Sequence, residues 1–252
     1  EYCSDDSQHL VIVKPVDSFS GRGITVVDPR NKSALDAAQK YAESHSDSAE
    51  ATSNIYIDGQ LISFSVVMCD DYFNFISCVN EYCTQSEFKV DASYCVAPDV
   101  FVKDKRLVED LNKIRRSIKM KYPVFLHFQC IKTESETYFI EMMMRHPGDL
   151  YSSLVHQSTG VPYSHLYVST FLNKQNHDVY SVNLQNIKPI IRLTLSSNTS
   201  FNTIQFNTNN VDSVEIIPLK SLGDSLESSS RVGIAFMPVS YTHLTLPTRL
   251  PV

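Results

Sequence analysis

Short apolar runs separated by polar turns dominate this chain, and their length and β-branched content predict strands more often than helices. In the first third, Asn31 or Ser33 begins a predicted helix that extends to about His45. The dipeptide Asp58-Gly59 lies between two apolar runs and predicts a β-hairpin, because a type I′ turn needs positive φ angles. The strands predicted in this part of the chain are 9–14, 24–27, 54–57, 61–68 and 72–79.

The rest of the chain mixes helices with further strands. Leu107, Leu111, Ile114 and Ile118 recur at helical spacing between charged residues, which predicts an amphipathic helix. Gly160 ends the first of two shorter predicted helices, and the polar turn TESE joins the strands of a predicted hairpin. These further elements are strands at 124–131, 138–142, 190–195, 203–206, 214–217 and 232–236, and helices at 149–158 and 163–172. The mixture indicates an α+β fold with largely antiparallel sheets.

Composition excludes several classes of protein. The chain has 252 residues, 42% of them hydrophobic, with a formal net charge of −6 and a pI near 5.7. An acidic balance argues against a generic nucleic-acid or membrane-surface binder. No apolar run approaches the roughly 18 residues that cross a bilayer, and no secretion signal opens the chain, which predicts a cytoplasmic protein. The six cysteines form no CxxC pair, which favours reduced, packed thiols over disulfides.

Both ends of the sequence indicate a fragment of a longer protein. The chain starts at Glu1 and enters a core-like segment almost at once. Near the other end, residues 239–248 read VSYTHLTLPT, which resembles the translation of a transposase-end sequencing adapter. We therefore expect residues 238–252 to be adapter read-through and leave them out of the fold prediction.

A glycine-containing loop follows the first predicted strand. Glycine is scarce in this chain, yet two of its seven glycines fall within the segment DSFSGRG, directly after Lys14. Backbone amides, two hydroxyl groups and two cations in such a loop suit the oxygens of phosphate groups. The segment is neither a Walker loop nor a dinucleotide fingerprint, because a strand follows it. A solvated hairpin loop is the alternative. The candidate residues within the loop are Ser18, Ser20, Gly21, Arg22 and Gly23.

A second group of candidates lies on the predicted 124–142 hairpin. Gln129 and Glu141 lie on neighbouring strands and are expected to face the same side, and Arg145 follows four residues later. Carboxylate and amide oxygens suit Mg²⁺, and a guanidinium suits a phosphoryl group in transfer. The alternative is a simple Glu141–Arg145 salt bridge. The neighbouring methionines, Met142 to Met144, are expected to be packing residues.

Together these segments resemble the ATP-grasp superfamily, in its carboxylate–amine ligase and carbamoyl-phosphate-synthetase-like (biotin-carboxylase-like) branch. The matching segments are VIVKPVDSFSGRGITVV, NIYIDG, HFQCI and FIEMMMRHPGD, in the family's order from about Val11 to Leu172. The resemblance implies two α+β subdomains that grip a nucleotide, followed by a small β-rich domain. We expect a partial ATP-grasp domain at 1–172, which would be inactive alone, and a β-rich C-terminal extension at 173–237.

The resemblance also implies roles for individual residues. Lys14 would contact the α- and β-phosphates of ATP, and the loop residues would close over the triphosphate. Asn54 would lie near the adenine amino group, with the backbone of Tyr56 and Ile57 in the purine pocket. The remaining implied roles are Mg²⁺ (or Mn²⁺) ligation by Gln129 and Glu141, stabilisation of the transferring phosphoryl group by Arg145, and a substrate-side position for Asp149.

Two departures from the family pattern bear on function. Gln129 stands where a glutamate is common, and Met143 stands where an asparagine ligand is common. The implied function is an ADP-forming ligase that joins a small carboxylate to an amine-type nucleophile. Such a protein is expected to be cytoplasmic and to have no nucleic-acid or membrane partner. The resemblance leaves open whether it forms a homodimer. The departures motivate an alternative, which is an ATP-binding regulatory or structural module that has lost chemistry. Direct phosphoryl transfer without ligation is a third option.

Overall fold

The computed structural model describes residues 9–84, 87–118, 122–172, 184, 186–196, 200, 214–221, 223–224, 226–227 and 230–238. The chain divides into two compact units. The first unit falls within Glu1–Asp58 and Gln85–Val90, and the second within Gly59–Thr84 and Asp91–Val252. Each unit has its own sheet, and the two sheets are described separately below.

The first unit is a three-stranded antiparallel sheet with one helix packed on it. Its elements are β1 (Val11–Pro15), β2 (Thr25–Val27), α1 (Lys32–Glu43) and β3 (Ala51–Ile55), with strand order β2-β1-β3. Val11 and Val13 are buried against Ala38 and Ala42 of the helix. Asn31 caps α1 through a 3.1 Å hydrogen bond that its Oδ1 accepts from the N–H of Ala34, whereas Ser33, the other predicted cap, lies inside the helix.

The predicted hairpin around Asp58-Gly59 is wrong. β3 pairs with β1, Ile55 lying opposite Val11, whereas the strand after Gly59 belongs to the sheet of the second unit. Gly59 does not adopt a positive φ. A Cβ on Gly59 would instead lie 2.7 Å from both the Ile131 side chain and the Lys132 carbonyl oxygen. The glycine is needed for close packing rather than for a type I′ turn. The strand before it pairs with β1, and the strand after it pairs with Phe73–Tyr82 and Val124–Lys132.

The second unit is an eight-stranded sheet. Every pair of neighbouring strands in it is antiparallel, in the order β10-β11-β9-β6-β5-β4-β7-β8. Its strands are β4 (Gln60–Met68), β5 (Phe73–Tyr82), β6 (Ala92–Cys95), β7 (Val124–Lys132), β8 (Thr137–Met143), β9 (Ile190–Leu195), β10 (Glu215–Pro218) and β11 (Gly233–Pro238). Its helices are α2 (Asp99–Val102), α3 (Lys105–Ser117), α4 (Tyr151–Thr159) and α5 (Tyr163–Phe171).

Helices cover both faces of this sheet, and the alternation along β4 explains how. Phe64 and Val66 point into a core that includes Leu107 and Leu111 of α3. Val67, on the opposite face, joins a second core that includes residues of α4 and α5. The face toward α4 and α5 is polar along part of its length, because Ser63 and Ser65 of β4 are also fully buried on it. That polar part carries the candidate residues of this unit.

Most predicted elements of the second unit are confirmed. The amphipathic helix is α3, the hairpin across TESE is β7–β8, and Gly160 ends α4 with a φ of 74°. The short elements β6 and α2 were not predicted, because four residues are too few to establish a hydrophobic period. The predicted strand 203–206 lies outside the described residues. β9 to β11 join the sheet through β6, and the domain boundary at 173 stays a prediction.

Two further findings bear on the sequence predictions. Five of the six cysteines are described, and all five are free thiols, the remaining one being Cys3. In the part of the chain that the structure describes, no helix is long and apolar enough to cross a membrane.

Candidate functional site

Lys14 and Asn54 lie on one face of the first unit's sheet. In the register of β1 and β3, Ile12 is opposite Asn54 and Lys14 is opposite Thr52. Side chains alternate along a strand, so these four residues share the face that points away from α1 and from the buried Val13. Lys14 is partly exposed and Asn54 is exposed. This face therefore presents an ammonium group and an amide to solvent.

The glycine loop has a backbone that requires its glycines. Gly21 and Gly23 have φ angles of 72° and 73°. Ser20, which lies between β1 and these glycines, also has a left-handed φ angle, of 57°. A Cβ on Gly21 would lie 2.2 Å from the carbonyl oxygen of Phe88. A Cβ on Gly23 would lie 2.7 Å from side-chain atoms of both His45 and Pro15. The loop is thus a shaped, packed turn, which distinguishes it from a solvated hairpin loop with glycine only for flexibility.

The start of this loop is anchored by Asp17. Its carboxylate accepts hydrogen bonds from the backbone N–H of Asp47 at 3.0 Å and of Ser48 at 2.9 Å, and from the Ser46 hydroxyl. These bonds, the one from Ser46 foremost, lower the pKa of Asp17. Asp17 is therefore ionised at neutral pH and ties the loop to the connection between α1 and β3.

The far side of the loop is exposed. The Arg22 guanidinium carbon lies 4.8 Å from the centroid of the Phe19 ring, in a cation–π contact. Phe19 is 67% exposed, Arg22 and Ser20 are exposed, and Ser18 is partly exposed. The hydroxyl groups and the guanidinium that the sequence singled out are accordingly accessible to a ligand.

Tyr56 and Ile57 follow β3. The backbone N–H of Tyr56 donates a 2.8 Å hydrogen bond to the carbonyl oxygen of Leu10, which extends the β1–β3 pairing beyond the strand. Both residues are partly exposed. The backbone at Tyr56 therefore continues the direction of β3 beyond the end of the strand.

Gln129 and Glu141 are direct partners in the register of β7 and β8, as the sequence predicted. Met143 lies opposite His127 on the same face, and Arg145 comes two residues later, just past the end of the strand. Glu141 and Arg145 are exposed. Arg145 donates to the carbonyl oxygen of His146 at 3.1 Å, and the ion pairs found among the described residues do not include Glu141 with Arg145.

Glu81 is a site residue that the sequence prediction missed. It lies on β5, is 7% exposed, and accepts hydrogen bonds from the Ser63 hydroxyl at 2.6 Å and from Gln129 Nε2 at 2.7 Å. Burial raises the pKa of Glu81, against the opposing effect of these two bonds and of the Arg192 charge. The signal in the sequence was the single charged residue of β5, and only the contacts of Glu81 in the folded protein show its role.

Asp149 lies among arginines rather than alone. The carboxylate accepts from Arg231 at 2.7 Å and lies 3.4 Å from Arg192, whose Nε also donates to the Asp149 carbonyl oxygen at 2.6 Å. The Arg192 side chain is only 2% exposed. Asp149 and Leu150 both have left-handed φ angles, 56° and 55°, and this turn ends before α4 begins at Tyr151. Sequence reasoning missed both arginines, because they follow Asp149 by more than 40 residues.

His127 is a buried strand histidine whose ring is hydrogen-bonded. It is 3% exposed, and its Nδ1 lies 2.8 Å from the Ser65 hydroxyl, which in turn lies 2.6 Å from the Tyr163 hydroxyl. Burial lowers the pKa of His127 to about 3, helped by the nearby charges of Arg145 and His146. The residue is therefore neutral at physiological pH and acts as part of the packed face below the candidate site.

The donor set fits one magnesium ion. No group of three or more His, Cys, Asp or Glu side chains suited to a metal occurs in the described part of the chain. Mg²⁺ in phosphate-transfer sites, however, commonly uses one or two protein oxygens and takes the rest from phosphates and water. Glu141 offers a carboxylate and Gln129 an amide oxygen at neighbouring positions, whereas the Met143 thioether is a poor ligand for so hard a cation.

Comparison with known proteins identifies the family. The sequence of residues 3–173 matches the protein-family model described as the carbamoyl-phosphate synthase L chain, ATP-binding domain. None of the curated proteins matches the chain. Among solved structures, an L-amino acid ligase from Bacillus licheniformis is similar over 94% of this chain and 60% of its own, at 13% identity and a TM-score of 0.67.

Two carboxylase structures are similar as well. Biotin carboxylase from Campylobacter jejuni, in a complex with β-γ-ATP, matches 92% of this chain and 54% of its own, at 17% identity and a TM-score of 0.60. The biotin carboxylase domain dimer of the Hydrogenobacter thermophilus 2-oxoglutarate carboxylase, with MgADP, ADP and bicarbonate, matches 92% and 53%, at 13% identity and a TM-score of 0.60.

The chain spans 53% to 60% of the length of these three chains. At such identities the structural likeness establishes the fold, and the family rests on the sequence match, which covers more than half of the chain. The protein therefore has the ATP-grasp fold and belongs to the family of carbamoyl-phosphate synthase L chain ATP-binding domains.

Proposed function

We propose that the chain is the ATP-binding part of an ADP-forming ligase that activates a carboxylate as an acyl phosphate for attack by an amine or similar nucleophile. The observation that carries the proposal is the direct register of Gln129 with Glu141, with Arg145 two residues past the end of β8. Two adjacent oxygen ligands and a nearby guanidinium suit phosphoryl transfer, and ATP-dependent ligases occur among the structural relatives.

The first unit would hold the nucleotide. Lys14 would contact the α- and β-phosphates, and Asn54, on the same face of the sheet, would contact the adenine edge together with the backbone of Tyr56 and Ile57. The loop would cover the triphosphate with its amides, hydroxyls and guanidinium. Its contributing residues would be Ser18, Ser20, Gly21, Arg22 and Gly23. The left-handed glycines support this role, because they let backbone amides approach phosphate oxygens closely.

The second unit would hold the metal and the reacting groups. Gln129 and Glu141 would bind Mg²⁺ (or Mn²⁺), which when bound offsets the charge of the phosphate oxygens. Arg145 would stabilise the transferring phosphoryl group, and Asp149 would lie on the substrate side. The exposed position of Arg145 and the location of Asp149 beside Arg192 and Arg231 support these assignments.

The proposed chemistry has two steps. A carboxylate oxygen of the substrate attacks the γ-phosphorus of ATP, the bond from that phosphorus to the β–γ bridging oxygen breaks, and ADP leaves. The nucleophile then attacks the acyl carbon, phosphate leaves with the bonding electrons, and the amine loses a proton. The protein's part is to align the two reactants, to neutralise charge and to exclude water, since phosphate is a far better leaving group than oxide.

An ATP-binding module without chemistry is the second candidate. Gln129 and Met143 favour it, because they replace an anionic and an amide oxygen ligand of the usual family pattern with weaker ones. Hydroxylamine trapping separates the two functions. The chain, together with any sequence that precedes or follows it in the natural protein, is incubated with ATP, Mg²⁺, hydroxylamine and a panel of amino acids and small carboxylic acids. A ligase forms a hydroxamate and ADP in equal amounts with at least one acid, and the module forms neither.

Lys14→Met tests the nucleotide assignment directly. Hydrogen bonds between charged groups contribute about 1.5–3 kcal/mol each, so we expect ATP to bind roughly 10- to 150-fold more weakly. Lys40→Met is the matched control, because Lys40 is an exposed lysine of the same unit, on α1, and should leave ATP affinity unchanged. Equilibrium dialysis with labelled ATP measures both. Equal affinity of the two variants would remove Lys14 from the site.

A further inference from the structure

A buried carboxylate contacts the amide of a proposed metal ligand. Glu81 is 7% exposed, and its Oε2 accepts a 2.7 Å hydrogen bond from Nε2 of Gln129. We propose that Glu81 is a positioning residue for the metal site: it turns the amide oxygen of Gln129 away from the sheet interior, and it is the reason that position 129 holds an amide rather than a carboxylate. The inference rests on the proposed function, in which Gln129 and Glu141 bind the metal.

The orientation of the Gln129 amide follows from the chemistry of its partner. Gln129 Nε2 donates to Glu81 Oε2, so the nitrogen of the amide faces Glu81. The amide oxygen then points in a different direction and stays available to a cation. Without Glu81, either end of the amide could turn inward and the oxygen would have no fixed place.

Glu81 is itself held by a buried chain of hydroxyl groups. Ser63 is fully buried, lies directly opposite Gln129 in the β4–β7 register, and donates to Glu81 Oε1 at 2.6 Å. Because the Ser63 proton is used in this bond, the Tyr151 hydroxyl 3.1 Å away must donate to Ser63. Tyr151 is 6% exposed and belongs to α4. A series of hydrogen bonds therefore connects the buried core to the proposed metal site and fixes the Gln129 side chain. It runs from Tyr151 through Ser63 and Glu81 to Gln129.

The same contact explains why a glutamate at position 129 is disfavoured. A carboxylate there would place an oxygen at hydrogen-bond distance from the carboxylate of Glu81 and would remove the N–H that donates in this contact. The exchange of the two residues avoids that conflict, since a glutamine at 81 can donate to a glutamate at 129. Glutamate and glutamine can therefore exchange places at positions 81 and 129 only if both residues change together.

A double-mutant cycle tests this coupling. The variants are Glu81→Gln, Gln129→Glu and the double exchange, and the probe is Mn²⁺ titrated in the presence of ATP, with free Mn²⁺ measured by electron paramagnetic resonance. Each single variant should weaken Mn²⁺ binding, and the double exchange should bind at least tenfold more tightly than the product of the single effects predicts. The matched control is Gln157 with Glu215, where Gln157 Nε2 donates to Glu215 Oε2 at 2.6 Å on the exposed surface. The cycle Gln157→Glu with Glu215→Gln should show less than twofold coupling in Mn²⁺ binding.

The outcomes separate the two proposals. Independent effects at 81 and 129 overturn the positioning role and leave the proposed function standing. A wild-type chain that binds no Mn²⁺ in the presence of ATP overturns the proposed function and this inference with it. If the variants do not fold, the wild-type chain gives the answer by NMR without metal. The side-chain amide protons of Gln129 should exchange with solvent at least tenfold more slowly than those of Gln157, and equal rates would contradict the contact.

Discussion

Gly21→Ala offers a direct test of the shape of the glycine loop. Gly21 has a φ of 72°, and a Cβ there would lie 2.2 Å from the Phe88 carbonyl oxygen and 2.7 Å from its carbonyl carbon. Gly160 is the matched control, because its φ of 74° is nearly the same while nothing lies within 4 Å of its Cβ position. The two substitutions share the conformational cost, and only the first adds a collision with backbone.

The magnitudes follow from this comparison. Placing alanine in the left-handed region costs about 1 kcal/mol, which is the whole expected cost of Gly160→Ala. Overpacking adds roughly 1–3 kcal/mol, so Gly21→Ala should cost about 2–4 kcal/mol locally. Hydrogen–deuterium exchange with mass spectrometry measures each cost at its own position. Exchange in β1 and β2 should accelerate roughly 30- to 1000-fold in Gly21→Ala, and exchange in α4 about 5-fold in Gly160→Ala.

Comparing the exchange rates of the two variants can refute the proposed shape of the loop. If Gly21→Ala accelerates exchange in β1 and β2 no more than Gly160→Ala accelerates exchange in α4, the loop does not pack against Phe88. In that case the glycines serve only flexibility, and the argument for a shaped phosphate-binding loop fails. ATP affinity of the same variant links the test to function: a displaced loop should weaken binding, whereas the control should not.

Two further predictions concern the second unit. His127, whose pKa lies at about 3 against about 6.5 in the unfolded chain, should show no ring titration between pH 5 and 8 by NMR. Between these two pKa values the unfolded chain binds a proton at His127 that the folded chain does not. The contribution of His127 to the free energy of unfolding should therefore be intact above pH 6.5 and should fall by about 1.4 kcal/mol per pH unit from there toward pH 3. The variant His127→Gln should lack this pH dependence. Asp149→Asn should lower the free energy of unfolding by about 1–2 kcal/mol, less than the 3–5 kcal/mol for a fully buried pair, since the Asp149 side chain is 42% exposed. Urea denaturation measures this, and Asp110→Asn, which removes an exposed pair with Lys113, should cost under 1 kcal/mol.

The candidate site divides into a part that local sequence could find and a part that it could not. Gln129 and Glu141 were placed side by side correctly, because a short polar turn between two strands fixes their pairing within a dozen residues. Glu81, Arg192 and Arg231 were missed, because their roles depend on contacts with Gln129 and Asp149 across 43 to 82 positions of the chain, and no short-range pattern carries that information.

The sequence by itself determined the elements that depend on local chemistry: the Asn31 cap, the α3 stripe, the β7–β8 hairpin and the Gly160 helix end. Only the tertiary structure decided the partner of β3. The Asp58-Gly59 signal favours a local hairpin, yet β3 hydrogen-bonds to β1 and the following strand enters another sheet. The physical reason is that backbone hydrogen bonds between strands are alike for every sequence, so the choice of partner is made by burial of side chains across the whole fold.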